Sequence, residues 1–432
     1  MKKQISRRDF LKLAGGAVVT VAGVGMLPQF LRKTLSPHQV VAAAGDFDLF
    51  YAGTDGWFSL PGTVPGFQPD PYAPSPFTTY IFGFRNLTGL DPVNDSQAVA
   101  GQKNHAQHNA PLFWVDEETE FKLLLTNLGL AQRPDLVDSH TLHWHGFRNV
   151  IPYYDGEPTG SVSIPVNRFF TYVYRPHEPG TYMYHCHVED IEHVTMGMTG
   201  IVFVRPWQNK KPDGTLLGSF THHTGYRYAY NDGNGSTYYD REFPMFLSEV
   251  WAEGHWNDAH IQESDWSLFK ADYSLLNGRV YPDTLAPQGQ GRGPDGDLII
   301  DPNHPELQYQ PHSSLVECNA GEKVLLRFAN LGFREAAMTF AGLTVKVVGR
   351  DATPMLGRDG TDTSYETDTL LMGAGESYDV IFTAPAPGTY LLYNRRYTQD
   401  DDLTGGTQGQ RTEIRVYASG IAPQTGTEGF GI

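Results

Sequence analysis

The sequence predicts an all-β protein of two β-sandwich domains, on three observations. Both halves carry short runs of strand-like residues, such as Phe121-Lys-Leu-Leu-Leu and Lys323-Val-Leu-Leu-Arg-Phe. Gly/Pro turns separate these runs, and helical periodicity is scarce. An internal repeat divides the chain: Thr126-Asn-Leu-Gly129 recurs as Ala329-Asn-Leu-Gly332, and Pro179-Gly-Thr-Tyr182 recurs as Pro387-Gly-Thr-Tyr390. A length of 432 residues is too great for one ordinary sandwich and suits two with extensions.

Residues 1–44 read as an address. Ser6-Arg7-Arg8-Asp9-Phe10-Leu11-Lys12, followed by an apolar run to Leu27, has the form of a twin-arginine export signal, and Ala42-Ala43-Ala44 offers a cleavage point. Gly15, Gly16, Gly23 and Gly25 make the run weakly hydrophobic, so stable membrane insertion after cleavage is not expected. Export would place the protein in the periplasm or outside the cell. The remaining chain carries 25 basic against 48 acidic side chains, a net charge near −23, which argues against nucleic acid as a partner.

The first domain, residues 45–207, holds the residues that carry chemistry. The run Tyr182 to Met198, YMYHCHVEDIEHVTMGM, sets Cys186 between His185 and His187 and follows it with His193 and Met198. A thiolate, imidazoles and a thioether form the ligand set of a blue, electron-transferring copper site. Upstream, His140-Thr-Leu-His143-Trp-His145 adds three histidines within six residues. Side chains two apart on a strand share a face and neighbours oppose. His143 with His145, and His185 with His187, therefore define one face, while His140 and Cys186 point to the other. The simplest assembly is two metal sites back to back: His140, Cys186, His193 and Met198 in one, and His143, His145, His185 and His187 in the other. Cys186 is covalently joined to both flanking histidines, which gives an electron a short route between them.

The segments HTLHWHGF, Asp155-Gly156 and PGTYMYHCH, with the later histidine and methionine, resemble those of multicopper oxidases of the laccase type over nearly the whole chain after the signal. The resemblance implies two cupredoxin-like Greek-key β-sandwich domains. It also implies a type 1 copper at His140, Cys186, His193 and Met198, with His143, His145, His185 and His187 contributing to a type 2/type 3 copper cluster. Cys186 and His193 would be the residues through which electrons pass. In two respects the chain departs from the family. His193 lies two residues further from the cysteine than usual, which reshapes the intervening loop, and Met196 is an alternative to Met198 as axial ligand. The family's cluster also takes twice the histidines that this domain offers, and the ten histidines outside the two motifs include no pair spaced by two.

Residues 208–240, rich in Asn, Gly, Lys and Tyr, read as a linker. His222 and His223 within it suit a solvated loop, although adjacent histidines in a loop could converge on a metal. His105 and His108, ahead of the copper motifs, likewise read as a polar loop. In the second domain, residues 241–420, Tyr393, Asn394 and Arg395 stand where the first has His185, Cys186 and His187. Met338-Thr-Phe340 stands for its His-x-His element. This copy reads as a cupredoxin-like domain without copper ligands. The Gly/Pro-rich stretch 287–311 interrupts it, and residues 421–432 form a tail. Cys318 reads as a small buried apolar residue, and no structural disulfide is expected.

Three function classes follow. The first is an exported copper oxidase that takes electrons from a phenol or metal-ion reductant and reduces dioxygen to water, its cluster completed by a homo-oligomer or a partner subunit. The second is a nitrite-reductase-like enzyme, which leaves His143 and His187 without a purpose. The third is a blue copper electron carrier, which the ligand-free second domain favours. The acidic Glu189-Asp190-Ile-Glu192 reads as a solvated loop, and is also the best hint in the sequence toward a metal-ion substrate.

Overall fold

The computed structural model describes residues 47–289, 297–396 and 409–425, and the backbone of Phe430 and Gly431; residues 1–44, read above as an export signal, lie outside the described residues. The first sandwich is built from β1 (Leu49–Phe58), β2 (Thr79–Asn86), β3 (Phe113–Asp116), β4 (Phe121–Gly129), β5 (His143–His145), β6 (Phe169–Tyr174), β7 (Gly180–His185) and β8 (Thr199–Arg205). One sheet runs β2-β1-β4-β6; the other runs β3-β8-β7-β5, with Phe430–Gly431 pairing outside β3. The aromatic rings of Phe113, Phe121, Trp144, Tyr172, Tyr182 and Tyr184 fill the space between them, all nearly inaccessible to solvent.

The second sandwich repeats the plan with a seven-stranded and a five-stranded sheet. Its Ala336–Phe340 strand pairs with Gly388–Asn394, setting Met338 against Asn394. Met338 and Phe340 are buried in the core, and the Asn394 amide is bonded to the Ala337 amide and the Gln410 side chain. Those positions are committed to packing, as the sequence suggests.

The segment read as a linker is instead folded. It forms two short hairpins, Leu216–Leu217 with Phe220–Thr221 and Arg227–Tyr228 with Tyr238–Tyr239, and packs Ala229, Tyr230 and Tyr239 against Leu325, Val348 and Ile381 of the second sandwich. Its aromatic content, not its Gly and Asn, decides the outcome, because burying each such ring contributes about 1.5–3 kcal/mol.

The two sandwiches share buried surface. Met183, Ile201 and Phe203 on the outer face of the β3-β8-β7-β5 sheet pack on Phe246 and Ala329, and Phe58 and Ile81 pack with Val250, Tyr273 and Leu275. At the same seam Arg327 pairs with Glu242 at 2.8 Å and Asp379 at 3.4 Å within the second sandwich, and Thr181 Oγ1 of the first donates to Asp379 across it. None of the helices among the described residues is long and apolar enough to cross a membrane.

Candidate metal centre

Pairing of β5 with β7 creates the constellation, because its register sets His143 directly opposite His185. Trp144, Tyr184 and Cys186 point into the core of the first sandwich. Alternation therefore sends His143, His145 and His185 to the outer face, toward the second sandwich. His187, just past the end of β7, joins them, its ring 4.9 Å from that of His143 and 5.4 Å from that of His185.

On the core side, ligand atoms of His140, Cys186 and His193 lie within 4.8 Å of one another, and all three residues are fully buried. Cys186 Sγ is 3.2 Å from His193 Nδ1 and accepts from the Thr141 amide at 3.5 Å. His140 is fixed by backbone bonds to Ile164, not by a regular strand. His193 sits on the short helix Asp190–Met196, and the Met198 carbonyl accepts from the Cys186 amide. A β-carbon on Gly53 of β1 would lie 2.6 Å from His140 Cδ2 and 3.4 Å from Met198 Cε. The bare backbone of Gly53 is thus the floor on which His140 and the Met198 thioether meet, which places Met198 beside the trio.

The residues fit a copper ion. Neither ring nitrogen of His140 has a hydrogen-bond partner, and His193 Nε2 has none either. Each such buried orphan costs about 1–3 kcal/mol unless something supplies it. Burial alone would raise the Cys186 thiol, but the neighbouring His193 and His140 imidazoles outweigh it and hold the thiol well below its ordinary range. Burial likewise works against a charged His193, yet the Cys186 thiolate and Asp138 push it up to about 10. The pocket is arranged around a positive charge beside a thiolate. With a weak axial thioether, this donor set is that of a blue site. Met198→Leu is expected to keep the blue colour and raise the reduction potential, read by redox titration. A shift on Met196→Leu with none on Met198→Leu would reassign the axial position.

On the outer side, ligand atoms of His143, His145 and His185 also lie within 4.8 Å of one another. His143 Nδ1 pairs with the Asp155 carbonyl at 2.9 Å and His185 Nδ1 with the Cys186 carbonyl at 2.8 Å, which leaves Nε2 of each for a metal. Burial pushes His185 down to about 3, so the ring is neutral, as ligation requires. The turn that carries Asp155 depends on Gly156, where a β-carbon would collide with the Leu142 carbonyl at 2.0 Å.

The lesser candidates go elsewhere. His108 is buried, stacked 4.9 Å from Phe58, and His105 pairs with Asp297 at 3.2 Å, so neither is part of a polar loop's free surface. His222 is buried against the Tyr228 hydroxyl while exposed His223 faces Asp213. Cys318 is buried, and burial pushes its thiol up to about 11.

Sequence reasoning missed three contributors. Gly53 is a strand glycine, a pattern that signals close approach of something to the backbone. Asp138 Oδ2 stands 3.8 Å from His193 Nε2. Gly375 of the second sandwich closes on the outer face, where a β-carbon would lie 3.3 Å from His145 Nε2; no local signal marks it.

Residues 108–209 and 249–420 each match a family described as multicopper oxidase. Among curated proteins, putative laccase-18 of Oryza sativa subsp. indica is 24% identical over 58% of this chain and 34% of its own length. Laccase-19 of Oryza sativa subsp. japonica is 25% identical over 57% and 34%. The chain therefore spans about a third of the length of the curated relatives it matches. Among solved structures, a blue copper oxidase from Nitrosomonas europaea aligns over 85% of both chains with a TM-score of 0.56 and 21% identity. The multicopper oxidase mgLAC aligns over 86% and 87% at 0.55, with 21% identity. A copper nitrite reductase from Nitrosomonas europaea aligns over 85% and 92% at 0.52, with 16% identity. These structural likenesses establish the cupredoxin-type fold of both sandwiches. With copper implied as cofactor and two matched segments that together span most of its length, the chain belongs to the multicopper oxidase family.

Proposed function

We propose that this protein is an exported oxidase that draws electrons from a small reductant at the His140–Cys186–His193–Met198 position and delivers them to the outer histidine face, where dioxygen is reduced to water. The observation that carries this reading is the placement of Cys186. Its sulfur faces His140 and His193, while its carbonyl pairs with Nδ1 of His185, which faces His143 and His145. One residue thus contacts both sites. Copper bound at the two positions would supply one-electron steps on the core side and dioxygen chemistry on the outer side. Cys186 would hold the metal and conduct. Asp155 orients His143 through its carbonyl, and the surrounding aromatic core keeps water from the thiolate. The twin-arginine sequence supports export to the periplasm or the exterior.

The second sandwich supplies Met338, Phe340 and Asn394 where histidines would be needed, so completion of the cluster falls to another subunit, whether a second copy or a different chain. Copper counting and oxygen consumption test this together. Protein matured in its own host is expected to hold about four coppers per chain. Its specific rate with a phenol should rise across the concentration range in which it assembles. A copper-replete monomer with a constant specific rate would refute the interface. The ligand-free second sandwich also favours a second reading, a blue electron carrier, for which about one copper per chain and no oxygen consumption in any assembly state are expected.

A further inference from the structure

The segment between His193 and Met198 carries two of the core-side ligands, and its own chain does little to hold it. The helix Asp190–Met196 has seven residues, its cap Glu189 makes no side-chain capping bond, and the two-residue insertion after Cys186 lengthens the stretch that leads to it. In place of a solvated loop, Glu189-Asp190-Ile-Glu192 forms the cap and first turn of this helix. Isolated helices so short are marginal in water, so contacts from elsewhere in the fold must fix it.

Two buried histidines outside the ligand set supply those contacts. His255, on the helix Ala252–Ala259 of the second half of the chain, is 1% exposed. Its Nδ1 donates to the Tyr80 carbonyl of β2 at 2.6 Å. The Thr195 carbonyl is a second acceptor at the same ring, whose Nε2 has no close partner of its own. The ring thus spans the gap between β2 and the turn that leads to Met198. His108 closes on that turn as well: a β-carbon on Gly197 would lie 2.9 Å from His108 Cδ2 and 2.8 Å from the Phe82 carbonyl of β2. The His108 ring is itself buried and stacked on Phe58 at 4.9 Å. Apolar residues of similar size would fill both places at less cost in desolvation, so the imidazoles call for a reason.

Resting on the oxidase reading above, we propose that His255, backed by His108, is a positioning residue of the core-side copper: it holds the turn at 195–197 against β2 and so sets how closely the Met198 thioether approaches the metal. The axial ligand tunes the reduction potential of such a site. Through one imidazole, the half of the chain without copper ligands thereby adjusts the potential at which the first sandwich accepts an electron. Without His255 the turn is free to draw away from β2, the thioether retreats, and the oxidised ion loses a donor. The potential then moves in the direction expected for Met198→Leu.

The test is a redox titration of the copper-loaded, fully assembled protein, followed by the blue band, with paramagnetic resonance of the same samples. His255→Leu should shift the Cu(II)/Cu(I) equilibrium about tenfold toward Cu(I), the smaller end of the effect of groups that orient a metal's ligands, or about 59 mV for one electron. His255→Gln, whose amide can still donate where Nε2 lies, should recover most of the shift. Combined with Met198→Leu, the His255 change should add nothing, because the donor that it positions is gone. His312→Leu removes another buried imidazole and should lower the melting temperature without moving the potential. If His255→Leu does not fold, His108→Leu, whose Nδ1 leaves no partner behind, should shift the potential the same way. A potential and resonance spectrum unchanged in whichever variant folds would overturn the proposal. So would equal shifts in His255→Leu and His255→Gln, or a shift that adds in full to that of Met198→Leu. A parent protein that never turns blue refutes the oxidase reading beneath it instead.

Discussion

Cys186→Ser is expected to give a colourless protein that still binds copper at its outer histidine face. The blue band arises from charge transfer between a thiolate and the metal, and Cys186 is the buried thiol beside His140 and His193. Serine preserves the bond from the Thr141 amide and is slightly smaller, so the change in stability should stay within about 1–3 kcal/mol. Loss of the band therefore reports on the metal and not on unfolding. Oxygen consumption with any reductant should fall to the level of free copper, because the residue that contacts both sites no longer binds metal on the core side. Electronic spectra, paramagnetic resonance and copper analysis of the same sample check all three expectations. A Ser variant that remains blue would move the thiolate site away from Cys186.

The second large effect is expected at a residue with no donor atoms. Gly53→Ala would put a β-carbon 2.6 Å from His140 Cδ2, inside any tolerable contact. The His140 ring cannot retreat, since it is fully buried and its other side faces the His193 ring at 5.2 Å. Overpacking of this kind costs about 1–3 kcal/mol, and its displacement of the ring should lower type 1 copper occupancy while leaving the outer histidines untouched. Gly101→Ala is the matched control: nothing lies within 4 Å of its added carbon, so stability should change by less than about 0.5 kcal/mol and colour not at all. Urea unfolding of the apo forms with copper titration of each variant separates the two effects. Equal copper affinity in Gly53→Ala and the parent protein would contradict the role given to this backbone.

Much of the centre could be read from spacing alone, because strand parity is rigid. His143, His145 and His185 share the outer face and Cys186 opposes them, as two-residue periodicity requires. Parity served less well for His140, whose position comes from an isolated bridge to Ile164 and not from the strand that bears His143. The helix around His193 was hidden by its brevity. Seven residues give little periodicity, although Asp190 and Glu192 in its first turn are the charges a helix N-terminus favours. His255 and Gly375 were beyond reach, since they meet the site through packing between segments far apart in the chain. The folded state of residues 208–240 was missed for a related reason: composition marks a linker, while the surface that buries its tyrosines belongs to another part of the molecule.

The seam between the sandwiches has a thermodynamic consequence. Residues from both contribute to common apolar clusters, and buried Arg327 is neutralised by Glu242 and Asp379 while Thr181 of the first sandwich bonds the same Asp379. Opening either sandwich would expose the other's half of the seam, and would take the Arg205 guanidinium away from buried Glu242 and the Thr181 hydroxyl away from Asp379, where breaking a buried ion pair costs about 3–5 kcal/mol. The two therefore melt as one cooperative body, and a ligand bound to one stabilises both. Copper taken up at a hundred times its dissociation constant adds about 2.7 kcal/mol to the native state. By linkage that increment protects the sandwich that carries no metal ligand of its own as fully as the one that does.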